Sequence, residues 1–459
     1  MTRYGDSVLI RLLIAIVALA PLPFGANRPW AWMLMGALVG VLLLAWAVKV
    51  ALDPTGPAVS IGSVWPLLAL FGAVIGWEIV QMAPFTPESW QHPIWRSAAA
   101  LLGRPLEGSI SVVPFATGSA ILRLLTYGGI FWIAMQSCRA TRDAHAVFLT
   151  LAIVGLLYAA YGLGVEFTGA RTILWFEKER YLDDLTSTFE YKNAYATYAG
   201  LGAVCAVGLL LKGMEDLAGR DFGKRETRRL AITWLAERGW LHGMAALLTL
   251  TGLLLSHSRA GLLCTGVALF ALLMAARCIR GPRIPLLRPA TTALVVAFAG
   301  FIAISGGTVL DRLANTEVEA DVRPLIYDAT MTAIADAPWV GTGAGTFAEV
   351  FSLYHPPAIY TRVLQAHESY LENALELGIP GAVVLTLALA GPAMICLVGI
   401  RRRRRNALYP CIGVAASVLV GLHASVDFTL QIPAVAATYA LIMGAACSQS
   451  WSTRNGNEG

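Results

Sequence analysis

Residues 378–400 read GIPGAVVLTLALAGPAMICLVGI, and residues 401–405 are five consecutive arginines. A helix that crosses a bilayer needs about 20 apolar residues, so the first stretch is long enough to span a membrane. Lys and Arg residues collect in the cytoplasmic loops that join such helices. The two stretches together predict a transmembrane helix that ends in the cytoplasm.

Similar apolar stretches occur along all 459 residues. The chain is 57% hydrophobic and 14% charged, with a mean hydropathy of +0.63, whereas a soluble domain is about 25% charged. No strand-like alternation is present. The sequence therefore predicts an all-α, polytopic membrane protein with about 12 transmembrane helices, rather than a soluble enzyme on one anchor. The predicted spans are 8–24, 30–49, 61–82, 119–136, 145–165, 193–211, 240–256, 260–276, 289–305, 378–400, 408–424 and 432–448.

Basic residues divide unequally between the two sides that these spans define. The side that includes both termini carries 22 of the 34 Lys and Arg residues, and the other side carries 11 although its loops are longer. The positive-inside rule therefore predicts cytoplasmic termini. We expect three regions: residues 1–305 with spans one to nine, a long outer loop at 306–377, and residues 378–459 with the last three spans and the C-terminus.

The net charge of +5 does not indicate a nucleic-acid partner. The basic residues lie in short blocks between apolar stretches, and no basic–aromatic binding module is present. The seven cysteines fall in predicted helices or cytoplasmic loops, and none has metal-ligand spacing. We predict membrane lipids as partners and no nucleic acid.

The long outer loop has the pattern of a helical layer. Asp321 is followed by Val-Arg-Pro, which is typical of a helix start with Asp as the cap and Pro in the first turn. Apolar residues then recur at helical spacing until Pro338 and three glycines end the pattern. A second helix is predicted from about 364 to 377.

Two motifs in this loop suggest common binding sites but do not fit them. Residues 341–346, GTGAGT, lack the Lys-Ser or Lys-Thr of a phosphate loop and follow no strand, so a plain turn is predicted. His367-Glu368 would need a second His one turn on to bind zinc, where the chain has Leu371. We therefore predict neither a metal nor a cofactor.

Polar residues that could carry chemistry lie at the outer ends of the spans. Each has a structural alternative: Arg259 can snorkel to lipid headgroups, His367 can cap or pack, and Asp427 can pair with an arginine. Four separated stretches nevertheless place reactive groups at one membrane depth, where charge is costly and often functional. The candidate residues are Arg180, Glu190, Lys192, Asn193, Arg259, His367 and Asp427.

Four motifs, spread over about residues 180–435, resemble the O-antigen ligase and polymerase superfamily. The most specific is AHESYLE at 366–372, which continues to ELGIPG at 376–381. The others are SRAGL at 258–262, TFEYKNAYA at 188–196, which is similar to a Phe-x-x-x-Asn-x-x-Ala stretch, and Asp427-Phe428 with QIPA at 431–434. In one departure, Glu368 stands where many members have Asn, which leaves the role of this neighbour of the histidine open.

The resemblance implies a GT-C-like glycosyltransferase, multi-pass in a Gram-negative inner membrane, with a periplasmic active site. It would transfer O-antigen polysaccharide from undecaprenyl diphosphate to a sugar hydroxyl of lipid A–core. Since a diphosphate is already a good leaving group, fixed cations can take the place of a metal, and a single displacement would invert the anomeric centre. In this interpretation His367 is the base and Arg259 binds the diphosphate. Arg180 and Lys192 are further cations for the diphosphate, and the supporting residues are Glu190, Asn193, Tyr370 and Asp427.

Three alternatives remain open. An O-antigen polymerase or a protein O-oligosaccharyltransferase would use the same donor class with another acceptor. A secondary transporter would also suit twelve spans, although the sequence shows neither a half-to-half repeat nor a pair of broken central spans.

Overall fold

The computed structural model describes residues 2–53, 56–218, 233–279, 318–403 and 406–451, together with 226, 229, 230, 287 and 291–296. The helices are α1 Thr2–Leu19, α2 Pro29–Leu52, α3 Ile61–Met82, α4 Ile94–Leu102, α5 Pro114–Ser137, α6 Thr141–Phe167, α7 Lys192–Ala218, α8 Trp240–Leu255, α9 Arg259–Arg277, α10 Val318–Asp336, α11 Phe347–Phe351, α12 Ser369–Arg402, α13 Leu408–Ala424 and α14 Pro433–Ser448. A two-residue antiparallel pair joins β1 Thr172–Ile173 to β2 Phe176–Glu177. Short turns of 3-10 helix cover Phe24–Ala26 and Thr429–Gln431, and a π-helical turn covers Leu235–Gly239.

Eleven of the twelve predicted spans each overlap one of these helices, and their ends differ most at the start of α12, by nine residues, and at the end of α7, by seven. The remaining one, 289–305, lies largely outside the described residues. Helices α2, α3, α5, α6, α7, α9 and α12 are each long and apolar enough to cross a membrane, and α1, α13 and α14 contain shorter apolar helices. The protein is therefore an all-α, polytopic membrane protein, and the count of twelve spans stays a prediction.

Burial divides the bundle into central and peripheral helices. Every residue of α14 is buried, and this helix packs against α5, α6, α7, α12 and α13. Helices α2 and α3 are also apolar, but only five residues of α2 and four of α3 are buried, and others, such as Val41 and Leu44 in α2, are exposed. Apolar side chains at the perimeter suit contact with lipid, because a helix satisfies its backbone hydrogen bonds internally.

A smaller apolar cluster lies beside the bundle, within the segment predicted as a helical loop. It joins α10 and α11 to the start of α12, and includes Ile326, Ala329, Ala333, Phe347, Val350, Phe351, Ile359, Val363, Ala366 and Leu375. The two helix starts predicted in this loop were wrong. Helix α10 begins at Val318 rather than Asp321 and holds Pro324 inside, where the proline has no backbone N–H to donate to the carbonyl four residues earlier.

The start of α12 is set by Glu368 rather than by apolar spacing. The Glu368 carboxylate accepts hydrogen bonds from the backbone N–H groups of Tyr370 and Leu371, so the helix begins at Ser369 rather than near 364. These N–H groups have no partner within the helix, and a side-chain acceptor at this position stabilises the helix end.

Helix α12 is interrupted at Gly378, whose φ of +73° lies in the left-handed region. A β-carbon at this position would approach the Trp339 carbonyl oxygen to 2.5 Å, so only glycine fits. The interruption leaves the carbonyl groups of the preceding turn without partners inside the helix. Other segments supply those partners and hold the two halves of α12 at a fixed joint.

Five donor groups bind three consecutive carbonyl oxygens at this joint. They are Thr342 N (3.1 Å) and Thr342 Oγ1 (3.2 Å) to Leu375, Gly343 N (2.9 Å) and Gln81 Nε2 (2.8 Å) to Glu376, and Trp77 Nε1 (2.8 Å) to Leu377. The GTGAGT motif is therefore a turn that packs on the end of a helix.

Candidate active site

The motifs that the sequence analysis singled out meet at one end of the bundle. They supply the start of α7, the turn between α8 and α9, the segment that leads into α12, and the loop between α13 and α14. Contacts between side chains from these four segments, which are far apart in the chain, build the site described below.

His367 faces a buried carboxylate. Its Nδ1 lies 3.7 Å from Oδ1 of Asp427, whose side chain is 2% exposed, whereas the His367 side chain is 33% exposed. The imidazole also packs edge-on against Phe428, with ring centroids 5.2 Å apart. Among the described residues, His367 Nδ1 has no hydrogen-bond partner within 3.5 Å, so a small shift toward Asp427 is enough to form one. Nε2 is then the nitrogen left for a ligand.

Asp427 is held as an anion. Oδ1 accepts a hydrogen bond from the N–H of Phe428 (2.7 Å), and Oδ2 accepts one from Nδ2 of Asn193. Burial alone would raise the pKa of Asp427, but His367, the Phe428 N–H and His423 lower it, and the net pKa lies below the ordinary value. The carboxylate therefore keeps its charge at neutral pH beside the imidazole.

Arg259 is connected to the Asp427 carboxylate through hydrogen bonds of the preceding residue, Ser258. Asn193 Oδ1 accepts a hydrogen bond from Ser258 Oγ (2.7 Å), and Ser258 Oγ accepts one from Gly261 N (3.1 Å), which caps α9. Arg259 is the first residue of α9 and is exposed. No acidic side chain in the described part of the chain pairs with it. A hydrogen-bonded chain thus runs from Asp427 through Asn193 to the residue that precedes this free cation.

Glu190 and Lys192 lie nearby but are engaged in ion pairs. Glu190 pairs with Arg28 at 2.5 Å and accepts a hydrogen bond from Asn27 (3.3 Å). Lys192 Nζ lies 3.1 Å from Oδ2 of Asp184. Neither Arg28 nor Asp184 was predicted, because nothing in their local sequence marks them. The structure thus gives Lys192 a carboxylate partner that the sequence interpretation did not include.

The structure gives Arg180 and Tyr370 no direct contact with the His367 and Asp427 side chains among the interactions of the described residues. Arg180 is exposed, and its charge opposes the rise in pKa that burial causes at Tyr191. The Tyr370 hydroxyl donates to the carbonyl of Gly421 (2.9 Å), which ties α12 to the end of α13.

Helix α10 brings a second cation to the site. Arg323 donates to the carbonyl of Val426 (3.3 Å), the residue before Asp427. From the same helix, the Tyr327 hydroxyl donates to the carbonyl of His367 (3.3 Å). Arg323 was identified in the sequence only as part of a helix start. Its position in the long loop, where basic residues are scarce, was the available signal.

Glu372 fixes the approach to His367. Its buried carboxylate accepts hydrogen bonds from Ala366 N (2.8 Å) and from Gln431 Nε2 (2.8 Å), so it joins the residue before the histidine to the α13–α14 loop. His367 itself has a φ of +56°. A residue other than glycine in this region costs about 1–3 kcal/mol and persists only where the surroundings hold it.

The described residues contain no group of three or more His, Cys, Asp and Glu side chains that could hold a metal ion. That a reaction at this site needs no metal stays a prediction. What the site offers is a buried carboxylate, an imidazole beside it, and the guanidinium groups of Arg259 and Arg323. This set can accept a proton from a hydroxyl and bind an anion, since Arg donates paired hydrogen bonds to phosphate.

Residues 244–386 match the family model Wzy_C, which is described as O-antigen ligase. The match covers about a third of the chain, begins after Asn193 and ends before Asp427, and it includes Arg259 and His367. No protein with a curated description matches the chain. The family resemblance that the sequence motifs indicated is confirmed by this match.

Proposed function

We propose that this chain transfers O-antigen polysaccharide from undecaprenyl diphosphate to lipid A–core. The match of residues 244–386 to the O-antigen ligase family model supports this proposal. The reaction takes place at the periplasmic face of a Gram-negative inner membrane. The basic-residue asymmetry supports this side, because it puts the His367 end of the bundle opposite the cytoplasmic loops.

One observation supports the proposal above the others. A continuous chain of contacts, His367–Asp427–Asn193–Ser258, joins an imidazole to the turn that carries Arg259. Glycosyl transfer from a lipid diphosphate needs a group that accepts the proton of the acceptor hydroxyl and a group that stabilises the departing diphosphate. The chain holds one of each in a fixed relation, which is the geometric requirement for both to act in one transition state.

In the proposed mechanism His367 Nε2 accepts the proton of the acceptor hydroxyl. The hydroxyl oxygen forms a bond to the anomeric carbon as the bond from that carbon to the diphosphate oxygen breaks. The diphosphate leaves on its lipid with the bonding electron pair. Asp427 stabilises the imidazolium that forms, as a buried carboxylate does for a catalytic histidine. A single displacement of this kind inverts the anomeric centre.

The diphosphate is held by cations and by a helix end. Arg259 is the primary ligand, because it lies at the N-terminus of α9, where the positive end of the helix dipole also favours an anion. Arg323 and Arg180 add positive charge. Lys192 also adds positive charge, although it is paired with Asp184. Fixed cations of this kind make a metal unnecessary for a leaving group that is already good.

The proposal is tested with His367→Ala, Arg259→Ala and Arg259→Lys in purified protein supplied with both lipid substrates. We expect His367→Ala to lower turnover by about 10²–10⁴-fold with donor binding unchanged. Arg259→Ala should weaken donor binding about 10–100-fold, and Arg259→Lys should recover part of it. His355→Ala and Arg362→Ala change the same residue types elsewhere in the long loop and should leave transfer unchanged.

A deletion strain separates the ligase from its relatives. Loss of all polymer from lipid A–core, with polymer retained on the lipid carrier, is the expected result. A single repeat unit left on lipid A–core would instead identify a polymerase. Normal transfer by folded His367→Ala protein would remove His367 from the mechanism.

A further inference from the structure

Asp184 connects two groups that flank the proposed diphosphate site. Its Oδ2 lies 3.1 Å from Lys192 Nζ, and its Oδ1 lies 2.9 Å from His257 Nδ1. The Asp184 side chain is 17% exposed, so the carboxylate is largely buried. Since a carboxylate only accepts hydrogen bonds, the Nδ1 atom of His257 must carry a proton in this contact.

His257 lies in the tight turn that presents Arg259. The turn occupies only Ser256, His257 and Ser258 between α8 and α9, and the φ of His257 is +51°. Such a backbone conformation costs about 1–3 kcal/mol and persists only where its surroundings hold it. The Asp184 carboxylate holds its side chain, and next to it the N–H of Leu185 donates to the carbonyl of Leu255 (3.0 Å) at the end of α8.

The segment before α7 therefore binds the α8–α9 turn at two adjacent points. One is the backbone bond, and the other is the carboxylate bridge. On its other oxygen, Asp184 fixes Lys192, the first residue of α7. The segment is itself restrained, because Lys178 Nζ donates to the Asp184 carbonyl (3.0 Å).

We infer that Asp184 is a positioning residue for diphosphate binding: it fixes the turn that aims Arg259 and restrains Lys192 beside it. This inference rests on the proposed function for its consequence in catalysis, but the fixing of the turn does not. Two separate acceptor oxygens are required, one for each partner. An asparagine in place of Asp184 keeps one acceptor and loses the charge, and an alanine keeps neither.

The experiment compares Asp184→Ala and Asp184→Asn with Asp183→Ala as the matched control. Asp183 is the adjacent residue, is 87% exposed, and pairs only with the exposed Arg171 among the described residues. We expect Asp184→Ala to raise the KM for the lipid-diphosphate donor and to lower kcat/KM about 10–100-fold, because a displacement of about 1 Å in a binding group has that effect. Asp184→Asn should fall between this variant and the wild type, and Asp183→Ala should match the wild type.

A second measurement does not depend on catalysis. Amide hydrogen exchange of the peptide that covers residues 254–262 should be faster in Asp184→Ala than in wild-type protein and in Asp183→Ala. Faster exchange with no donor-dependent transfer by the wild type would contradict the proposed function and leave the inference about the turn intact. Unchanged exchange and unchanged KM in folded Asp184→Ala protein, with an active wild type, would overturn the inference alone. If the alanine variant does not fold, Asp184→Asn carries the same comparison.

Discussion

Replacing Asp427 with asparagine tests whether its charge serves His367. The substitution keeps the size of the side chain but removes the negative charge that lies 3.7 Å from His367 Nδ1. Both carboxylate oxygens accept hydrogen bonds, from Asn193 and from the Phe428 N–H. The amide of asparagine has one oxygen, so its NH2 group must face one donor. That mismatch costs about 1–3 kcal/mol of stability, which is separable from the effect on turnover.

The size of the catalytic effect follows from the geometry. A proton that reaches His367 creates a cation beside Asp427. Two unit charges about 4 Å apart attract by about 4 kcal/mol at an effective dielectric constant of about 20. A loss of that size corresponds to about 10³-fold in rate. Because His367 is partly exposed, solvent replaces some of the attraction, and we expect kcat to fall by about 10²–10³-fold.

The assay is steady-state transfer by purified protein in lipid nanodiscs, with the donor varied at saturating acceptor. The KM for the donor should stay near the wild-type value, because the imidazolium exists only as the proton moves. Asp328→Asn, at an exposed position on α10, is the control for loss of one negative charge. A folded Asp427→Asn enzyme with wild-type kcat would refute the assignment of the carboxylate to His367.

Three further outcomes are expected. Activity should persist in excess chelator, and a strict requirement for added Mg²⁺ or Mn²⁺ would show that fixed cations do not suffice. In a background without native cysteines, Tyr360→Cys should react with a membrane-impermeant thiol reagent in spheroplasts and Arg402→Cys should not; the reverse pattern would contradict the predicted topology. Burial raises the pKa of Glu368, so the folded state binds more protons than the unfolded state, and stability relative to Glu368→Gln should fall as pH rises from about 4 through the raised pKa. Thermal unfolding over that range checks the sign, and a constant difference between the two proteins would contradict it.

The sequence predicted the spans well because the information for each is local. A run of about 20 apolar residues specifies a membrane helix whatever lies elsewhere in the chain. The helices of the long loop were placed less well. Asp321 and Pro324 have the local form of a helix start, but the helix begins at Val318, and α12 begins after a Glu cap rather than within the apolar spacing.

The sequence predicted some of the residues that form the site, but it did not predict the hydrogen bonds that join them. His367, Arg259, Asn193 and Asp427 stand in recognisable motifs, yet no motif says that Asn193 joins Asp427 to Ser258. Most of the partners that were missed act across long sequence separations, although Asp184 is only eight residues from Lys192. Asn27, beside Arg28, reaches a residue 163 positions away, and contacts of this length depend on how the helices pack.

The joint at Gly378 decides which parts of the protein can move. A glycine followed closely by a proline inside a helix usually suggests a hinge. Bending α12 here would break the bonds from five donor groups, at about 1 kcal/mol each, so the bent form would hold roughly one molecule in several thousand. The joint at Gly378 is therefore rigid, and the first turns of α12 move together with α3 as one rigid unit. We expect entry of two large lipid-linked substrates to displace the irregular segment 352–366 instead, so that distances between spin labels on α3 and α12 stay constant when donor binds.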